Sequence, residues 1–299
     1  MTGTSDHVFG GVLTDVKLSM VASYLRGFTI ALRNKPYFTL WYIDAFAGTG
    51  ERTVKLEGKE ATLFEGPTED TIERRKGSAR IALDTRPAFD RLVFIEQKKR
   101  HFQALEALKA EYVAKGLYRE DQIQVIRGDA NKVLQDAAGR SGWQKIRAVL
   151  FLDPYGMGVE WPTLEALGRT GSIDLWYLVS LAGLYRQATN RSSNLDEKKR
   201  AALTRMLGTA DWETAWYEKE RTLFGELGEL ASRTADLGRI EAFVQKRLAD
   251  AFPTVLPARR LYNGRNLPMF SLFFAMSNTS AAAKKVAVPI ANYILKAGS

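Results

Sequence analysis

The sequence predicts an α/β fold: a doubly wound, mostly parallel sheet with a helical insertion and a C-terminal hairpin plus helix. Three observations predict it. Apolar runs too continuous for one-sided strands recur between residues 41 and 180, helical patterns fill the gaps between them, and a glycine-bearing turn follows the first run.

In chain order the expected strands are WYIDAF (41–46), RLVFIE (91–96), IQVIR (123–127), RAVLFLD (147–153) and IDLWYLVS (173–180). Expected helices lie between them at 77–85, 98–114, 132–138 and 162–167, the last with Pro162 in a favourable first-turn position. Strand–helix alternation of this kind places ligands at the carboxyl ends of the strands, near the switch in strand order. From Tyr185 to Asp250 the strand signal disappears and the chain becomes charged and helix-prone, which predicts a helical insertion. Strand signals return at 258–262 and 268–277, joined by a turn with Asn263, Gly264 and Asn266. The terminal run AAAKKVAVPIANYILK predicts a helix kinked or interrupted at Pro289. The expected division is residues 1–183 as an N-terminal helix and cofactor-binding core, 184–253 as the insertion and candidate substrate or partner region, and 254–299 as closing strands and C-terminal helix.

Composition narrows the chemistry. The 299 residues are 45% hydrophobic, enough for a sizeable core, and 43 Lys+Arg against 34 Asp+Glu give a net charge of +9. That excess favours polyanionic partners, although a solvated positive face would give the same count. With no cysteine, the chain has no disulfide, thiolate nucleophile or Cys-ligated metal of its own. The two histidines, His7 and His101, share no metal-ligand spacing and read as ordinary surface residues, so no metal site is expected. No charged head precedes an apolar stretch at the N-terminus, and the longest uncharged run, Leu175 to Tyr185, is too short to span a bilayer, so the expectation is a soluble, cytoplasmic protein without membrane contact.

The first informative motif is DAFAGTG, Asp44 to Gly50, whose glycines let a backbone approach a ligand closely, as they would also serve a purely structural turn. Glu96 ends the next strand, where an acid can accept from ribose hydroxyls; a strand-terminal surface acid is the plain alternative. GDAN follows the third strand, where Asp129 could accept an adenine amino proton and Ala130 offer a backbone donor, or Asp129 could simply cap the next helix. Three acids at three successive strand ends beside a glycine-rich loop can surround one adenosine-containing cofactor. At the fourth strand end stands LFLDPYG, with Asp153, Pro154 and Tyr155. A transferase acting on an aromatic amine needs acceptors for the amine protons and a face for the ring, which Asp153, the Pro154 carbonyl and Tyr155 could supply. An Asp-Pro turn with Tyr155 packed in the core is the other reading.

At these residues the sequence resembles class I S-adenosylmethionine-dependent methyltransferases, a Rossmann-like family, with DAFAGTG, FIEQ, RGDAN and FLDPYG in the family's strand order. YIDAFAGTG, GSARIAL, GDAN, LFLDPYGMGVEW, IDLWYL and ANYIL together resemble the bacterial three-Cys-motif partner proteins over nearly the whole chain. The resemblance implies S-adenosylmethionine as cofactor and a partner with three cysteines, related to radical S-adenosylmethionine proteins. It implies that Asp44, Phe46, Gly48 and Gly50 surround the cofactor's amino-acid end, that Glu96 meets the ribose, and that Asp129 and Ala130 meet the adenine. Asp153, Pro154 and Tyr155 resemble the Asp/Asn-Pro-Pro-aromatic motif of amino-methyltransferases, with one proline where that motif has two. A charged stretch, Glu51 to Lys76, is a candidate lid, and the backbone donors of a helix starting near Ser78 could bind the cofactor carboxylate.

The expected function is methyl transfer to nucleic acid, with an exocyclic base amine as candidate acceptor and Arg186, Arg191, Lys198, Lys199, Arg200, Arg259, Arg260 and Arg265 as a basic track at the rim. The alternatives are a noncatalytic S-adenosylmethionine-binding subunit of the three-Cys partner, and methylation of a protein or small molecule.

Overall fold

A computed structural model describes residues 11–56, 71–221 and 227–297. Helix α1 (Gly11–Leu32) leads into β1 (Thr39–Asp44), the paired strands β2 (Glu51–Leu56) and β3 (Thr71–Lys76), α2 (Ser78–Asp84), β4 (Arg91–Glu96) and α3 (Lys99–Ala114). Then come β5 (Ile123–Arg127), α4 (Ala130–Ala138), β6 (Ile146–Leu152), α5 (Trp161–Arg169), β7 (Ile173–Val179) and α6 (Leu181–Gln187). The remainder is α7 (Glu197–Leu207), α8 (Trp212–Trp216), β8 (Tyr217–Arg221), β9 (Leu227–Arg233), α9 (Leu237–Ala251), β10 (Thr254–Val255), β11 (Arg259–Tyr262), β12 (Pro268–Met276) and α10 (Ala281–Lys296).

The main sheet runs β10-β12-β7-β6-β1-β4-β5, with β11 also paired to β12. Strands β1, β4, β5, β6 and β7 are parallel to their neighbours among themselves, whereas β12 is antiparallel to β7. From β1 the chain builds outward first through β4 and β5 and then, on the other side, through β6 and β7. Adjacent β1 and β6 are therefore the switch point, and a crevice opens beyond their carboxyl ends.

Burial explains why the apolar runs form strands. All seven residues of β7 are buried, as are the last five of β6, the pattern of strands covered on both faces. Alternation along β6 sends Ala148, Leu150 and Leu152 to one core, with α4, α5 and α9, and Val149 and Phe151 to the other, with α1, α2, α3 and α10.

Two expectations need correction. The 184–253 segment is helical at α6, α7, α8 and α9, but β8 and β9 form an antiparallel pair within it, with Tyr217 opposite Arg233. Neither YEKER nor LGELASR has the continuous apolar run that marks the core strands, so only the pairing reveals them. Of the kink or interruption expected at Pro289, the interruption does not occur: helix α10 is continuous from Ala281 to Lys296. Ser280 caps its start by accepting from the Ala283 N–H, and Ala287, Ala291, Ile294 and Leu295 are buried in the core it shares with α1; this packing outweighs one missing donor. The 57–70 part of the candidate lid, and His7, lie outside the described residues, while its ends are the paired strands β2 and β3. No helix among the described residues is long and apolar enough to cross a membrane.

Candidate active site

The carboxyl end of β1 turns sharply. Gly48 and Gly50 hold φ values of +61° and +73°, a region that costs side-chain-bearing residues, and a Cβ on Gly50 would stand 2.6 Å from Leu108 Cδ2. Position 50 is thus fixed by both conformation and space, whereas a Cβ on Gly48 would meet nothing within 4 Å. Three hydrogen bonds set the loop: Ala47 N–H to the Ile95 carbonyl (3.2 Å), Gly48 N–H to Glu96 Oε2 (3.1 Å) and Gly77 N–H to the Gly50 carbonyl (2.9 Å).

Asp44 ends β1 with no exposed surface. It accepts from Phe46 N–H (3.3 Å), Tyr42 O–H (3.2 Å) and the Ser78 side chain. Burial raises its carboxyl to about 6; those hydrogen bonds oppose the rise, and nearby Asp153 adds to it. Asp153 comes close because the β1–β6 register sets Asp44 opposite Phe151, so the two strand ends finish side by side.

Around this switch point lies a cavity of about 740 Å³ lined by residues including Phe46, Gly48, Gly50, Ser78, Asp153, Pro154 and Tyr155. With Arg186, which also borders it, eight of the expected site residues therefore converge. Tyr155 is 73% exposed, which excludes its packing in the core, and the Lys98 ammonium stands 4.8 Å from its ring centroid. The cavity also takes Thr14, Lys17 and Leu18 from α1, together with His101, Ser180 and Arg186.

The other expected cofactor residues are not part of this lining. Glu96 is buried and braces the loop, accepting from Gly48 N–H and from Lys98 N–H (2.8 Å). Asp129 caps α4 by accepting from Lys132 N–H (3.1 Å), and Ala130 is buried in the core; neither borders the cavity. The strongest polar anchor of GDAN is the residue after Ala130. Asn131 donates to the Gly158 carbonyl (2.9 Å) and accepts from Glu160 N–H (2.9 Å) and Thr163 O–H (2.9 Å), tying α4 to the loop that carries Asp153, Pro154 and Tyr155.

The basic residues divide. Arg186 borders the cavity, and Arg191, Lys198 and Arg265 are exposed. Arg260 pairs with Glu241 (2.8 Å), Lys199 with Asp196 (3.1 Å) and Arg200 with Glu213, while Arg259 donates to the Leu295 and Ala297 carbonyls at the end of α10.

Two residues escaped the sequence reading. His101, read as an ordinary surface residue, is mostly buried in the first turn of α3, with Nδ1 3.5 Å from Glu96 Oε2. Its signal is its place directly after the Glu96 strand end. Lys17 forms an ion pair with Asp153 from a helix that contains none of the motifs, so nothing in the sequence joins the two.

No protein-family model matches the sequence, and no curated protein does, so the three-Cys-motif resemblance rests on the motifs alone. Among solved structures, the chain is similar to protein LPL1258 from Legionella pneumophila, at 13% identity over 98% of this chain and 96% of that one, with a TM-score of 0.47. It is also similar to a candidate S-adenosylmethionine-dependent methyltransferase from Listeria monocytogenes (10% identity, 84% and 97% covered, TM-score 0.38). Spermidine synthase from Thermotoga maritima is a third (10% identity, 90% and 61% covered, TM-score 0.40). These likenesses concern the fold alone. Sheet order and the crevice at its switch point define the class: a Rossmann-like, doubly wound α/β fold.

Proposed function

We propose that this chain is an S-adenosylmethionine-dependent methyltransferase acting on nucleic acid, with an exocyclic base amine as acceptor. The observation that carries the reading is that Asp153, Pro154 and the exposed Tyr155 border the same cavity as the positive-φ glycine loop. A cavity of about 740 Å³ lies within the range that encloses cofactor-sized ligands. Phe46, Gly48, Gly50 and Ser78 would hold the cofactor, with Asp44 buried behind them.

When bound, S-adenosylmethionine would supply a sulfonium methyl group to the acceptor nitrogen, with S-adenosylhomocysteine as the leaving group and one N–H proton lost to solvent. The chain's part is to bind and orient. Asp153 accepts from one amine hydrogen, so that the nitrogen lone pair turns out of conjugation, and Tyr155 offers its face to the base. Arg186, Lys98 and the exposed Arg191, Lys198 and Arg265 favour a polyanion nearby.

Incubation with methyl-labelled S-adenosylmethionine and total nucleic acid or total protein tests the reading. Label in nucleic acid is the expected result. Cofactor binding without transfer, with or without a three-Cys partner, would favour a noncatalytic subunit instead, and label in protein would move the acceptor to another class.

A further inference from the structure

Among the described residues Asp153 is the only acid bordering the main cavity, and its partner is a lysine from outside the motif-bearing core. Lys17 Nζ donates to Asp153 Oδ2, and no hydrogen bond to Oδ1 is seen among the described residues. Both side chains are poorly exposed, 14% for Lys17 and 27% for Asp153. Thr14, Lys17 and Leu18 together form the part of α1 that borders the cavity.

One role for such a pair is to fasten α1 to the sheet. The helix is already fastened, because Leu18, Val21, Tyr24, Leu25 and Phe28 are all buried in the core it shares with α2, α3 and α10. Taking a lysine largely out of water carries a desolvation cost that a methionine on the same face would avoid. What the ammonium gives in return is local. It neutralises a carboxylate crowded by fully buried Asp44, and it engages one Asp153 oxygen while leaving the other for a further donor.

We infer that Lys17 is a positioning residue for methyl transfer: it pins Asp153 Oδ2 so that Oδ1 is turned to the acceptor amine, making α1 part of the active site. This rests on the methyltransferase reading, in which Asp153 orients the acceptor. Lys17 acts through Asp153 and need not touch the acceptor.

The test compares the wild-type protein with Lys17→Met, Lys17→Arg, Asp153→Ala and the Lys17→Met/Asp153→Ala double variant, using labelled methyl transfer, calorimetry with S-adenosylhomocysteine and thermal melts. Lys17→Met should lower kcat by about 10- to 100-fold, the scale of a misplaced catalytic group, with cofactor KM and S-adenosylhomocysteine affinity little changed. Lys17→Arg should recover much of the loss, since its guanidinium can also hold a carboxylate. In the Asp153→Ala background Lys17→Met should cost nothing further. Wild-type kcat in Lys17→Met, or an equal further loss in the double variant, would overturn the inference and leave the methyltransferase reading standing. A merely structural tie would lower the melting temperature of Lys17→Met without moving kcat at a temperature where the variant is folded. Absence of transfer by the wild-type protein would overturn the reading and the inference together.

Discussion

Asp44 and Asp174 stand at opposite ends of the sheet and are alike in nearly everything except surroundings. Asp44 has no exposed surface and Asp174 is 6% exposed; each accepts from a buried tyrosine, Tyr42 (3.2 Å) and Tyr24 (2.6 Å) respectively. Burial raises each carboxyl to about 6. Asp44 lies behind the glycine loop and beside Asp153, at a cavity with Lys17, His101 and Arg186. Asp174 borders a smaller cavity of about 310 Å³ walled by Phe28, Leu32, Phe38, Met276 and Ile290, with the Arg147 guanidinium 3.9 Å from the Phe38 ring centroid. Burial and a shifted ionisation are shared by the two ends, so they do not distinguish a site. The convergence of positive-φ turns, an ion-paired carboxylate and an exposed aromatic ring is found at the Asp44 end.

The largest effect should come at that end. Asp153→Ala should reduce methyl transfer by about 10²- to 10⁴-fold, the usual contribution of a positioned proton acceptor, while S-adenosylhomocysteine affinity stays near wild type. Full transfer by a folded variant would remove Asp153 from the mechanism and with it the main contrast between the two ends.

Next in size is a pH effect that the two aspartates should share. Each binds its proton more tightly in the folded than in the unfolded chain, so stability should fall as pH rises from the ordinary value of 3.8 to about 6. The fall should approach about 3 kcal/mol per group. Asp174→Asn keeps an acceptor for Tyr24 and should flatten this decline, seen as a gain over wild type at about pH 7 relative to about pH 4 in urea unfolding. Asp44→Asn should flatten it too. The comparison sharpens in calorimetry, where only Asp44→Asn should weaken cofactor binding.

Within the loop, Gly50→Ala should destabilise the protein by about 1–3 kcal/mol, because a strained φ is joined by a clash with Leu108. Gly48→Ala meets open space and should cost only the strain, about 1 kcal/mol. Equal melting temperatures for the two variants would show that the Leu108 contact yields freely.

The smallest effects should lie at the rim. Removing Arg186 should lower the salt slope of nucleic-acid binding by about one, whereas Arg260→Ala, which breaks the Glu241 pair, should lower stability and leave that slope alone. Tyr155→Phe keeps the ring and should change transfer only a few-fold.

Much of the fold was legible because buried parallel strands write themselves as continuous apolar runs. RLVFIE and IQVIR are strands over the expected residues, and RAVLFLD is displaced by one residue. Less legible were elements whose signal lies in a partner. The charged β8 and β9 become strands only by pairing with each other, and α10 remains whole at Pro289 because it packs with α1. The site divides along the same line. DAFAGTG and LFLDPYG could be placed at strand ends by pattern, since glycine and Asp-Pro carry their conformational meaning locally. What pattern did not show for Glu96 and Asp129, both expected at the cofactor, is that their carboxylates accept from nearby backbone N–H groups.

By itself, then, the sequence determined the alternation of strands and helices, the parallel sheet and the residues that would end β1 and β6, all consequences of periodicity and local backbone preference. Tertiary structure decided which of those residues share a cavity, that Tyr155 lies open while Asp44 is sealed, and that Lys17 meets Asp153. Those outcomes depend on strand order and on how α1 docks, and residues 136 positions apart leave no local pattern that announces their meeting.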